Sequence, residues 1–290
     1  MSHQDFISCL TTYYETLVAL QYIKSSHVIK PPRNGHTNVD AEAAREQGFG
    51  DEMISLVREL PYLSVDCEDL AILPDGTKPR SYLDDDFLDW ARDPLFQGSP
   101  MVKSTQIVLT NPAKSGIVLI YDMETCECIS WSTSEKGSDY DSLPSCAPKE
   151  LLGQWTEKLL NLEWIPYRES TGWGLILRQP PAQELERAVA SAESCGKHQT
   201  LLVQLGIKKV YMAAGWSVDA QTLEDATMKF DGLAFEGRSK AWKTTTQGLL
   251  DTAHREGWKW SKTRALLQIP PATASILDAG DDNAGKRLRI

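Results

Sequence analysis

Between residues 105 and 131 the apolar spacing switches from a helical period to that of short strands, so the chain must pack helices against a sheet. Upstream of the switch, Phe6, Leu10, Tyr13, Leu17 and Leu20 recur every three or four residues and predict one helix over 5–23. Pro31-Pro32 and Asn34-Gly35 then break the chain into a loop. An Ala-rich stretch, 40–47, predicts a short helix closed by Gly48. A third helix is predicted to Leu60, with Asp51 as its cap, Met53, Leu56, Val57 and Leu60 inward, and Pro61 ending it. The switch itself consists of three β-branched runs, 106–110, 116–121 and 128–131, separated by Asn111-Pro112 and by 123–125, which predicts an antiparallel meander.

The flanks are less regular. Residues 64–100 are expected to be an irregular acidic insert with one helical turn near 83–91, and 132–147 a Ser/Asp/Pro-rich loop. Pro148 suits the first turn of a helix whose stripe is Leu151, Leu152, Trp155, Leu159 and Leu160. A strand is predicted over 173–177 and a long helix over 182–205, interrupted by Gly196, with weaker helices over 222–230 and 246–256. The fold class expected is α+β: an antiparallel β-meander packed with helices, and a helical C-terminal third. The expected division is an α+β domain over 1–178, a helical, locally basic region over 179–270, and a flexible tail over 271–290.

Charge divides the chain further. The net charge is -10, but residues 1–150 carry 12 Lys and Arg against 24 Asp and Glu, while 151–290 carry 18 against 16. The window 64–93 holds nine acids and three bases, and 229–264 holds eight bases and four acids interleaved with Trp242, Trp258 and Trp260. Each run has two readings, a solvated face or a surface for a partner of opposite charge. Six irregularly spaced Cys, no apolar run near ~20 residues and no basic-then-apolar leader give the expectation of a cytoplasmic protein without a membrane span.

No nucleotide-binding, zinc-protease or serine-hydrolase motif is present. Cys126 and Cys128 would share one face of a strand, but a structural zinc site needs four ligands and no second pair accompanies them, so neither metal nor cofactor is expected. The five His residues are scattered, and their spacing assigns no Cys-His or Ser-His pair. Carboxylates of the insert could line a cation site or hold a guanidinium in bidentate bonds, or could simply be solvated. Flat rings among Lys and Arg suit base stacking, and equally suit packing under long Lys stems.

Three stretches carry a resemblance that spans roughly residues 5–175. They are Gly50-Asp-Glu-Met-Ile-Ser-Leu-Val-Arg-Glu-Leu-Pro-Tyr62, Asp89-Trp-Ala-Arg-Asp-Pro94, and Ile117-Val-Leu-Ile-Tyr-Asp-Met-Glu-Thr125 with Trp131. They resemble a widespread fungal group of small proteins, taken to include the arginine-containing cyclodipeptide synthases. A helix ending in Leu-Pro-Tyr, then strands ending in an Asp-x-x-Thr turn and a Trp, is also similar to the SUKH-type superfamily of cell-wall-synthesis regulators and immunity proteins, which are binding modules. The first resemblance implies a tRNA-dependent enzyme that joins arginine to a second amino acid as a diketopiperazine. Its aminoacyl ester arrives activated, so no nucleotide motif is required. Under it, Asp86, Asp122 and Tyr121 are the catalytic candidates, and Glu68, Asp69 and Trp131 the substrate-binding ones. Aminoacyl-tRNA would lie on Arg238, Lys240, Lys243, Lys259, Lys262 and Arg264, with Trp258 and Trp260 as stacking surfaces. The second resemblance implies a non-catalytic module whose acidic insert docks a basic partner.

Overall fold

The computed structural model describes residues 3–83, 91–95, 98, 100–112, 116–132, 140–168, 174–179, 206–218 and 220–256. It is an α+β protein that divides into two units, one of residues 1–177 and 217–228, the other of 178–216 and 229–290. Residues 84–90 of the expected helical turn, the whole of the expected helix over 182–205 and the tail lie outside the described residues. Among the described residues no helix is long and apolar enough to cross a membrane.

The first unit opens with α1 (Gln4–Ala19), β1 (Val28–Ile29), α2 (Ala41–Glu46), α3 (Asp51–Glu59) and β2 (Tyr62–Leu63). It continues with β3 (Lys78–Pro79), β4 (Gln106–Val108), β5 (Thr110–Asn111), β6 (Ile117–Asp122), β7 (Glu127–Ser132) and β8 (Ser145–Cys146). After these come α4 (Pro148–Leu160), β9 (Trp164–Arg168) and β10 (Gly174–Arg178). The meander is present as β4-β6-β7, extended to four antiparallel strands by β8, which lies in the stretch expected to be loop. Register places Val118 opposite Trp131, and Ile120 opposite both Ile129 and Val108. These residues form one apolar face with Val102 and Tyr140. Leu119 and Tyr121 alternate to the other face, where Phe6 of α1 stacks on Tyr121 with ring centroids 3.9 Å apart. Covered on both sides, β6 has the continuous apolar run 117–121 that a half-exposed strand would not tolerate.

Helix ends follow local chemistry. Asp40 caps α2 by accepting from the N–H groups of Glu42 and Ala43 at 2.8 and 3.0 Å. Gly50, not Asp51, is the cap of α3; Asp51 is its first helical residue and pairs with Arg45 at 2.9 Å. α3 stops where Leu60, preceding Pro61, is forced to extended backbone. Pro148 occupies the first turn of α4. α1, α2 and α4 close in the same way. The N–H two residues past the C-cap reaches back five residues to a carbonyl: Tyr22 to Leu17, Phe49 to Ala44 and Glu163 to Lys158, at 2.9 to 3.1 Å. The left-handed residue is Gly48 in α2, at φ +83, but Gln21 and the fully buried Leu162 in the other two. Burial of Leu162 stabilises a conformation that a free leucine disfavours.

The insert departs most from expectation, because its first half is built into the core. Asp75 and Gly76 both take positive φ and turn the chain so that Ile72 N donates to Thr77 O at 2.8 Å. β3 then pairs with β5, and Thr77 Oγ1 accepts from Ile117 N at 2.7 Å. Two buried tyrosines hold it from below. Tyr13 of α1 donates to Ile72 O at 2.5 Å and Tyr22 to Ala71 O at 2.8 Å. Burial raises both phenol pKa values, which keeps these donors protonated.

His36 supplies a pH-sensitive contact. Its backbone N–H donates to Arg58 O at 2.8 Å, its Nε2 to Leu60 O at 3.0 Å, and burial lowers its pKa against the smaller opposing effect of that second bond. The unfolded chain therefore takes up a proton near pH ~6.5 where the folded chain does not, so stability is full above that value and falls as pH drops through it. We expect the melting temperature to fall between about pH 7.5 and about pH 5.5, and to fall less in His36→Gln. Equal slopes in the two proteins would remove His36 from this account.

The second unit contains α5 (206–213) and α7 (Gly232–Glu256); α6 (Leu223–Thr227) belongs to the first unit. Tyr211 of α5 stacks on Phe235 of α7 at 4.1 Å, and Trp216 meets Phe230 edge-on at 5.1 Å. α7 is 25 residues long and begins 14 residues before the helix expected at 246. It buries Phe235, Ser239 and Thr246, with Trp242 half-buried between them. Two polar residues in that stripe, and Gly237 and Gly248 on its exposed side, concealed the helical period.

Candidate functional site

The proposed catalytic pair on β6 is committed to the fold. Asp122 is buried, Oδ2 accepts from Gln106 Nε2 at 2.8 Å and Oδ1 from Glu124 N at 2.9 Å, so both oxygens brace the β6–β7 turn. Tyr121 lies against Phe6 with its hydroxyl 2.8 Å from His3 Nδ1, and burial raises its pKa. A phenol held neutral in this way is poorly suited to carry protons near neutrality. Trp131 is buried in the apolar face of the sheet, and its indole N–H meets no acceptor among the described residues. It does not present a ring to a substrate. Glu68 and Asp69 are exposed, Asp69 taking Lys78 Nζ at 2.6 Å. Asp86 lies outside the described residues, so the structure does not place it beside the others.

The basic candidates are divided. Arg238 and Lys240 are exposed and Lys243 partly buried on α7. At about 100° per residue, Lys240 and Lys243 share a face that Arg238 leaves by roughly 140–160°. Trp258, Lys259, Trp260, Lys262 and Arg264 lie outside the described residues.

Cys126 and Cys128 do not share a strand face. Cys126 sits in the turn before β7 at φ +59, while Cys128 is buried on β7 opposite Cys146. Among the described residues no three His, Cys, Asp or Glu side chains converge where they could hold a metal ion.

Two groupings had no sequence spacing to announce them. Cys67 Sγ lies 3.3 Å from His27 Nδ1, and His27 Nε2 lies 3.7 Å from Asp66 Oδ2. The order thiol, imidazole, carboxylate is that of a cysteine nucleophile, but Cys67 is fully buried and burial raises its pKa. Reactive thiols need thiolate character and access, and this one has neither. The array instead ties β1 to the insert. The other grouping is a cleft of about 680 Å³ walled by α1, the 31–35 loop, α2 and α3, with Arg33, Arg45 and Arg58 in its lining.

A surface remains that does not require a pocket. From Val65 to Asp69 the insert exposes Val65, Asp66, Glu68 and Asp69, while Cys67 and Leu70 point into the core. Three carboxylates and one apolar side chain therefore stand on a backbone that hydrogen bonds at Ser64, Cys67, Glu68 and Leu70 hold in place.

The chain matches no family model, no curated protein and no solved structure.

Proposed function

We propose that this chain is a protein-interaction module that docks a basic, arginine-bearing partner on the acidic ridge Asp66, Glu68 and Asp69. The observation that carries this reading is the anchoring of the insert. Buried tyrosine hydroxyls and β3–β5 pairing hold it, so its exposed acids are presented without ordering a loop on binding. Val65, largely exposed beside them, gives the ridge an apolar contact. Commitment of Tyr121 and Asp122 to the fold weighs in the same direction, since it withdraws two of the three proposed catalytic groups.

The enzyme reading, a tRNA-dependent cyclodipeptide synthase using arginine, draws its support from the outward Arg238 and Lys240 of α7 in a basic, tryptophan-bearing stretch. Both readings need carboxylates that recognise a guanidinium. They differ in whether tRNA is bound and a product released.

Two measurements together test the docking surface and separate the readings. An oligoarginine peptide should bind the full chain with strong salt dependence, and Asp66→Lys with Glu68→Lys and Asp69→Lys should weaken it by about ten-fold or more. Unchanged affinity in the folded triple variant would overturn the docking surface. Co-purifying tRNA, or an arginine-containing cyclic dipeptide in the medium of an expressing host, would establish the enzyme reading instead.

A further inference from the structure

The cleft of about 680 Å³ in the first unit has the size of a small-molecule site and a charge opposite to that of the chain. Arg33, Arg45 and Arg58 line it, with Asp51 and Glu59 as the acids. Asp51 is already engaged, its Oδ1 accepting from Arg45 Nε at 3.2 Å and Nη2 at 2.9 Å. Arg58 makes one long hydrogen bond, Nη2 to Val39 O at 3.5 Å, and its buried Nε has no acceptor among the described residues. A guanidinium left with so few acceptors at the wall of a cleft marks a place where an anion would complete its hydrogen bonding.

Arg33 comes from a second element. It sits at the corner of the turn closed by Gly35 N to Pro32 O at 2.8 Å, with Pro31 and Pro32 stiffening the approach. Gly35 has φ +75, and a Cβ there would stand 3.1 Å from Arg58 Cβ and 3.2 Å from Arg58 O. The loop is therefore seated directly on α3, and His36 N–H to Arg58 O fixes it there. Arg33 and Arg58 are brought to one cleft by that seating, although 25 positions separate them in the chain.

We propose that this cleft binds the phosphate group of a small metabolite, with Arg33 and Arg58 as its two guanidinium ligands. Two forks from different elements suit a group with at least three acceptor oxygens better than a carboxylate, which one fork satisfies. The net charge of -10 does not prevent this, because screening confines distant repulsion to about 8 Å at physiological salt. The proposal stands apart from the acidic ridge, which shares no residue with the cleft.

The test uses pyrophosphate as the probe and the full chain. Millimolar pyrophosphate should raise the melting temperature above that in potassium chloride of equal ionic strength, because a ligand of the folded state stabilises it. Acetate, a single carboxylate, should do so less. Arg33→Ala, an exposed change expected to leave the fold intact, should weaken pyrophosphate by about ten-fold or more, and Arg58→Ala likewise. Lys24→Ala, outside the cleft, should bind as the wild type does. Equal stabilisation by pyrophosphate and matched chloride, or a folded Arg33→Ala protein with wild-type affinity, would overturn the site. Retained oligoarginine binding in Arg33→Ala would show that the ridge survives loss of the cleft.

Discussion

Replacing Trp155 with alanine is expected to remove about 3–5 kcal/mol of stability. Trp155 is almost fully buried on α4, its ring centroid 6.3 Å from Tyr13 of α1 and 6.1 Å from Trp164 of β9. The residue thus joins both helices and a strand at one point. Tyr13, its neighbour, is also the donor that holds Ile72 of the insert, so a void beside it reaches the ridge proposed for partner docking. Domains of this kind are stable by only about 5–15 kcal/mol, so the variant should unfold at markedly lower urea with an unchanged slope. A loss below about 1.5 kcal/mol would mean that α1 and α4 close over the space, and the packing account would fail.

Two glycines of the second unit are expected to respond to alanine with opposite signs. Gly215 closes α5 at φ +95, and a Cβ there would lie 2.0 Å from Lys229 O and 2.8 Å from Lys229 C. Backbone cannot yield as a flexible side chain does, so Gly215→Ala should cost more than the ~1–3 kcal/mol of positive-φ strain alone. Gly237 sits on the exposed side of α7 with nothing within 4 Å of the place a methyl group would occupy, and Gly237→Ala should stabilise by up to about 1 kcal/mol. Thermal melts of the two variants should move apart. Stabilisation by both variants would show that the backbone at Lys229 yields to a methyl group at 215.

Much of the first unit was legible because its signals are local. The stripe of α1, Pro61 after α3, Pro148 at the start of α4 and the continuous apolar run of β6 each state their structure within a few residues. The Asp75-Gly76 hairpin was equally local, being the dipeptide that two successive positive-φ positions favour, yet the surrounding acids obscured it. Charge density describes what reaches solvent, and it concealed Cys67, Leu70, Ala71, Ile72 and Leu73 lying underneath.

What the chain's own pattern determined was the α+β class, the first helices, the meander strands β4, β6 and β7, and the start of α4, because periodicity and turn residues act over one element at a time. It could not assign roles to Tyr121 and Asp122, since a buried brace and a catalytic group look alike until their partners Phe6, His3 and Gln106 are known. Only the tertiary structure decided that these two brace the sheet, that the insert is a held ridge, and that Arg33 and Arg58 face one cleft. The physical reason is separation along the chain: contacts such as Tyr13 to Ile72, 59 residues apart, leave no local signature, because their energy arises only once the core brings both ends together.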